Sequence, residues 1–209
     1  MISAQEALAR LREGNRRFVQ TPPDSIPSAT RTHRASLAQV QQPFAIILGC
    51  SDARVPAELI FGQGFGDLFV IRVAGNIVAP SQVGSVEFAA ARFGTRLVVV
   101  LGHTECGAIL ATVEELRRPA SYQSPGLRAI VDRIRPAVEP LLATPVADQT
   151  AELVAHAVRA NIRAAAAQLR HGSHLLEGLA ERDGLAIVGA EYCLQTGVVD
   201  FFDGMPAVA

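Results

Sequence analysis

Four short stretches of this sequence are almost wholly Val, Ile, Leu and small residues: "FAIILG" from Phe44, "DLFVIRV" from Asp67, "RLVVVLG" from Arg96 and "LAIVGAEY" from Leu185. A strand with one wet face alternates apolar and polar residues, and these runs do not. Continuous apolar runs of this length suit strands covered by helices on both faces, as in a parallel sheet. Helical signals stand between them. Val55-Pro56 opens a short helix, with Pro in the first turn and Glu58 near its positive end. "SQVGSVEFAAARFG" predicts a second, capped by Ser81 and stopped at Gly94. A third begins just after "HTEC", a long one spans Thr150 to Arg170, and a short one follows Ser173. "TGVVDFF" predicts an antiparallel edge strand after a turn at Gln195-Thr196-Gly197. Strand and helix in alternation predict an α/β fold, a mostly parallel sheet of four strands plus an antiparallel edge strand, flanked by helices.

Before the first strand, residues 3–19 have Ala7, Leu8, Leu11 and Phe18 at helical spacing, and "TPPDSIPS" then breaks regular structure. Residues 1–35 therefore read as an N-terminal helix and arm within a single domain spanning 1–209. With 49% hydrophobic residues the chain can bury one good core. Its net charge of -1, with acids and bases interspersed, excludes the basic stripe of a nucleic-acid binder. No apolar run approaches the roughly 20 residues of a membrane span. The N-terminus mixes charges through its apolar positions, unlike a signal peptide. Three cysteines without framework spacing point to a reducing cytoplasm, where thiols are free to bind metal or attack.

In open α/β sheets chemistry gathers beyond the carboxyl ends of the strands. Two runs end in reactive groups. The first ends at Gly49-Cys50, and the third ends at Gly102-His103 and continues Thr104-Glu105-Cys106. If those strands are neighbours, Cys50, His103 and Cys106 converge. Two thiolates and an imidazole form a soft N/S set suited to zinc, with a fourth position open to water. Cys106 would lie near a helix start, where the dipole favours its thiolate. Extended geometry through "CSDAR" would put Asp52 and Arg54 on the same side as Cys50.

These motifs, Cys-x-Asp-x-Arg followed by His-x-x-Cys, resemble those of the β-class carbonic anhydrases. The resemblance continues in "EGNRRFV", "GDLFVIRVAGN", "SVEFAAARFG" and "GAEYCLQTGVVDF", and so covers nearly the whole chain. It implies a zinc lyase, one Zn2+ per chain, in which zinc-bound hydroxide converts carbon dioxide to bicarbonate and a proton. Asp52 and Arg54 would be the catalytic dyad, the Arg keeping the Asp ionised and aimed. Zinc carrying two thiolates is formally neutral and should acidify its water less than a three-histidine site does.

The resemblance also implies substrate-binding roles for Gln41 or its neighbour Gln42, reaching into a neighbouring subunit, for the backbone N–H of Gly107, and for Phe69 and Phe88 as walls of an apolar cleft. The N-terminal helix would pack on a partner, giving a homodimer or homotetramer with no nucleic-acid or membrane partner. A bicarbonate effector pocket known in the family would map to Ile47, Arg72 and Phe88, where only the Arg keeps its polar group. That leaves Arg72 for a structural ion pair and implies a non-allosteric enzyme. Cys193 reads as a core residue, "HGSH" as a solvated loop, and "GQGFG" as turns, since it precedes a strand. Alternatives are hydrolysis of carbon disulfide or carbonyl sulfide on the same scaffold, or a purely structural zinc site with Asp52 as fourth ligand.

Overall fold

The computed structural model describes residues 2–22, 38, 41–118 and 124–205. The expected arm after Pro22 and His33 lie outside them. In chain order the elements are α1 (Ala4–Gln20), β1 (Ala45–Gly49), α2 (Ala57–Ile60), β2 (Leu68–Arg72), α3 (Pro80–Arg92), β3 (Leu97–His103), α4 (Gly107–Arg117), α5 (Pro125–Val138), α6 (Thr150–His171), α7 (His174–Asp183), β4 (Ala186–Tyr192) and β5 (Val199–Asp203). Short 3-10 turns occupy Ala74–Asn76, Glu139–Ala143 and Pro145–Asp148.

The five strands form one sheet in the order β2-β1-β3-β4-β5, parallel except for β5 against β4. All four apolar runs are strands, and β1 and β3 are buried along their whole length. Alternate side chains feed two cores. Ile46, Leu48, Val98, Val100 and Ile187 join residues of α3 to α7 on one face. Ala45, Ile47, Val99, Leu101 and Val188 join α1 and α2 on the other. Chain order places β2 and β3 on opposite sides of β1, so the chain reverses direction across the sheet between β1 and β3. That is where an open α/β sheet leaves a crevice at its carboxyl edge.

Helix α1 opens on a capping box, Ser3 with Glu6. The expectation that it packs on a partner subunit rested on the resemblance and on the Pro-rich arm that separates its apolar stripe from the sheet. The structure covers that stripe within the chain, because Ala4, Ala7, Leu8 and Leu11 are buried in the second core. Asn15, only 6% exposed, bonds the carbonyls of Ile60 and Gly197 and the N–H of Val199. Gly14 admits the close approach: a Cβ there would lie 1.8 Å from the Phe61 carbonyl oxygen.

Two local expectations need correction. Helix α3 starts at Pro80, which takes the first helical position; the cap is Ala79, and Ser81 lies inside the first turn. Helix α5 has no counterpart among the sequence expectations. Its buried stripe is Val131, Ile134 and Val138, capped by Ser124.

Candidate metal centre

Strands β1 and β3 pair directly, with Gly49 opposite Leu101. The next residues past that register are Cys50 on one strand and Gly102-His103 on the other. Cys106 follows a turn at Thr104-Glu105, in which Glu105 has a positive φ of 56°, and it caps α4. The ligand atoms of Cys50, His103 and Cys106 all lie within 4.8 Å of one another, and all three residues are buried. Among the described residues this is the one such group of His, Cys or acidic side chains.

The histidine is already arranged as a ligand. Its Nδ1 lies 2.8 Å from the carbonyl oxygen of Thr104, which can only accept, so Nδ1 carries the proton and Nε2 presents a lone pair. Nε2 is buried, with no hydrogen-bond partner. A buried nitrogen without a partner is costly unless something takes its lone pair. Two sulfurs and one imidazole nitrogen in that space fit a soft, four-coordinate cation such as zinc.

The thiols are strongly coupled. A hydrogen bond from Cys106 draws the Cys50 thiol far below its ordinary range against the opposing effect of burial, helped by His103 and the N–H groups of Gly75 and Asp52. Cys106 is pushed up, first by Cys50 and then by burial, while the N–H groups of Ala108 and Ile109 at the start of α4 act the other way. A cation bound between them would displace the remaining proton and favour both thiolates. Burial pulls His103 down, but Cys50, the Thr104 carbonyl and Asp52 together raise it.

Asp52 does not join the three ligands. Arg54 grips it through Nε at 3.0 Å and Nη2 at 2.8 Å, and the Arg54 N–H adds a third bond at 2.9 Å. That grip holds the Asp52 carboxyl well below the usual carboxylate range, against a smaller opposing effect of burial. Its Oδ2 lies 3.8 Å from His103 Nε2, at the mouth of the ligand set. The extended geometry expected through this segment ends at Asp52, whose carbonyl accepts from the Val55 N–H in a turn. That turn brings the guanidinium back onto the carboxylate.

Among the described residues Arg72 has no ion-pair partner. It donates to the carbonyls of Cys50, at 3.1 Å, and of Asp52, and so ties the end of β2 to the ligand loop. The three positions of the supposed effector pocket do not meet. Ile47 is fully buried in the second core, whereas Phe88 sits with Phe69 and Phe93 on the other face. Of the cleft positions, Phe69 and Phe88 meet each other away from the ligand atoms. Phe69 is in register with Ile46, four residues before Cys50 and about 13 Å back along the strand. Phe88 is 53% exposed and meets Phe93 edge-on. Gln41 is exposed at the entry to β1, the opposite end from Cys50, so it does not reach the centre of its own chain. Gly107 is exposed as the first residue of α4, where an N–H has no intrahelical partner.

Cys193 is not a core residue. It is part-exposed in the turn after β4, with Sγ 3.4 Å from Gln195 Oε1. "HGSH" joins α6 to α7, and the exposed His174 pairs with Glu177. Gly62 and Gly66 of "GQGFG" take positive φ in turns before β2.

Two groups near the ligands were not singled out from the sequence. The N–H of Gly75 lies 3.3 Å from Cys50 Sγ, and Asn161 Nδ2 donates to the Gly75 carbonyl at 2.8 Å. A legible signal for Asn161 existed: it occupies a position of the buried stripe Val154, Val158, Ile162, Ala165 and their neighbours on α6, where an amide needs a reason.

Residues 45–199 match the family described as "Carbonic anhydrase". Carbonic anhydrase 2 of Mycobacterium tuberculosis (strain H37Rv) is 45% identical over 131 residues, which are 61% of this chain and 61% of the relative. The chain thus matches about three fifths of that relative's length. Among solved structures, the β-carbonic anhydrase CafA of Aspergillus fumigatus superposes with a TM-score of 0.73 at 25% identity, over 97% of this chain and 92% of the other. One of two tetrameric β-carbonic anhydrases of Sordaria macrospora shares the fold with a TM-score of 0.70 at 24% identity, over 82% and 87%.

Proposed function

Because the chain belongs to the β-carbonic anhydrase family, we propose that it catalyses the reversible hydration of carbon dioxide to bicarbonate and a proton. The observation that carries the reading is the convergence of Cys50, His103 and Cys106 beside an Asp52 that Arg54 keeps away from them. Those three residues would hold one zinc ion per chain. Bound there, zinc would supply a Lewis acid that makes water nucleophilic near neutral pH. The remaining work falls to side chains. Asp52 is anionic and can only accept, so it takes a hydrogen bond from water at the mouth of the ligand set and turns a lone pair of that water toward the substrate. Arg54 keeps Asp52 ionised and stops it from closing the fourth position as a protein ligand. Arg72 fixes the loop that carries both Cys50 and Asp52. The Asp52–Arg54 pairing speaks against a closed structural site, which would need Asp52 as its fourth ligand.

The working form is proposed to be a homodimer or homotetramer. Gln41 supports this, since it stands exposed at the far end of β1 from its own centre and would serve a neighbouring one. The family's tetramers in Sordaria macrospora are in keeping with it. Among the described residues no helix is long and apolar enough to cross a membrane, and a cytoplasmic location is the accompanying proposal.

The test is stopped-flow carbon dioxide hydration with zinc content measured on the same sample, for the wild-type chain and for Cys106→Ser. Activity with one zinc per chain, both lost in the variant, supports the reading. Stoichiometric zinc and full activity in Cys106→Ser would overturn the ligand assignment.

A further inference from the structure

Cys50 Sγ accepts a hydrogen bond from the N–H of a residue whose carbonyl another element holds in place. The Gly75 N–H is 3.3 Å from the sulfur, and the carbonyl of the same residue receives Asn161 Nδ2 at 2.8 Å from α6. Gly75 has φ 69°, a left-handed conformation. A Cβ at this position would lie 2.7 Å from Ile134 Cδ1 and 3.1 Å from Ala108 Cβ, so the turn is wedged between α4 and α5. Asn161 is itself only 3% exposed. A buried amide on an otherwise apolar helix face is costly unless it satisfies a partner, and here the partner is this one carbonyl. Held at its carbonyl by Asn161 and in its left-handed turn, Gly75 has little freedom to swing its N–H off the sulfur.

We propose that Asn161 is a positioning residue for the metal centre, fixing the Gly75 turn so that its N–H withdraws charge from the Cys50 thiolate. The inference rests on the reading of Cys50 as a metal ligand. Two thiolates donate strongly and leave a bound cation a weak acid toward water. A hydrogen bond to one sulfur draws part of that donated charge away and restores some of the cation's pull, while also holding the sulfur in one place. Asn161 thus acts from a helix that supplies no ligand.

Cobalt(II) replaces zinc in such sites and reports sulfur donation as a charge-transfer absorption. Losing the N–H contact raises the energy of the thiolate lone pairs and moves that band to lower energy. The experiment loads the full-length wild-type chain, Asn161→Leu, Asn161→Ala and Ser173→Ala with cobalt(II) and compares the bands. Asn161→Leu replaces the amide with an apolar group of similar volume, and Asn161→Ala removes it outright, so a folding failure of one leaves the other. Ser173→Ala removes the cap of α7 and the bond to Glu87, away from the turn, and controls for general destabilisation. The expected result is a shift to lower energy in either Asn161 variant that folds, and none in Ser173→Ala. An Asn161 band that coincides with wild type or moves to higher energy would overturn the proposal, as would the same shift in Ser173→Ala. A wild-type chain with no sulfur-to-cobalt band would instead overturn the ligand reading beneath it.

Discussion

Arg72, the last residue of β2, donates through Nε to the carbonyl of Cys50, 3.1 Å away at the end of the neighbouring strand. The same guanidinium reaches the carbonyl of Asp52, so one side chain binds the ligand and the acidic residue beside it. Arg72→Ala leaves two carbonyls without that donor and frees the loop. It should lower stability by about 1–3 kcal/mol and reduce hydration activity as well. Chemical denaturation and stopped-flow assays on one preparation check both. Unchanged activity in a destabilised variant would show that the loop keeps its shape unaided.

Arg54 should behave in the opposite way. Its side chain is 54% exposed, so its pair with Asp52 adds little to folding. Its value is geometric, two parallel bonds that a lysine cannot copy. Arg54→Lys is expected to leave the melting temperature nearly unchanged and to lower kcat/KM by about 10- to 100-fold. A variant with full activity would remove Arg54 from the mechanism.

Cys193 offers a test by reactivity. Hydrogen bonding from Thr196, against some burial, holds its thiol below the ordinary range. The thiolate therefore persists at a pH where an ordinary thiol is protonated, and is lost as pH falls through the lowered value. With the centre loaded by metal, Cys193 should be the cysteine that iodoacetamide modifies first near neutral pH. Thr196→Val should raise the thiol's pKa and slow that reaction. Mass spectrometry of the alkylated chain across a pH series reads both effects, and equal rates in the two proteins would contradict the assignment.

Gly14 tests the seat of α1. The atom facing its missing Cβ is a backbone oxygen of Phe61, which cannot move aside as a side-chain tip can. Gly14→Ala should push α1 away from α2 and cost about 2 kcal/mol or more, even though alanine favours helices. Thermal melting measures this. A stabilised variant would mean that α1 does not lie against Phe61 in the working protein.

What could be read from the chain follows from how each feature is written in it. The strands were legible because burial on both faces leaves an unbroken apolar run. The meeting of Cys50, His103 and Cys106 was legible because the two strand endings that carry them sit on strands that pair. Helix α5 was not, since prolines at 125 and 136 mask the spacing of Val131, Ile134 and Val138. Arg72 looked like one half of an ion pair because sequence shows charges and hides carbonyls. Cys193 looked like core because its neighbours in β4 are apolar, yet the strand ends one residue earlier. Phe69 and Phe88 do meet, but over the β2 edge of the sheet and not at its carboxyl end.

The pairing of β1 with β3 makes occupancy of the centre a record of the chain's own history. Between Cys50 and His103 the polypeptide runs through β2 on one side of β1, returns through α3 and adds β3 on the other side. Until that excursion has closed, Cys50 is a solitary thiol and the His103–Cys106 turn a weak chelate, since bringing the ends of so long a loop together carries its own entropic cost. A cation bound there would work as a clasp on the finished loop and lend its binding free energy to the sheet's central pair. A chain that misregisters these two strands would have nowhere to hold such an ion, and metal retention would then separate correctly threaded molecules from the rest.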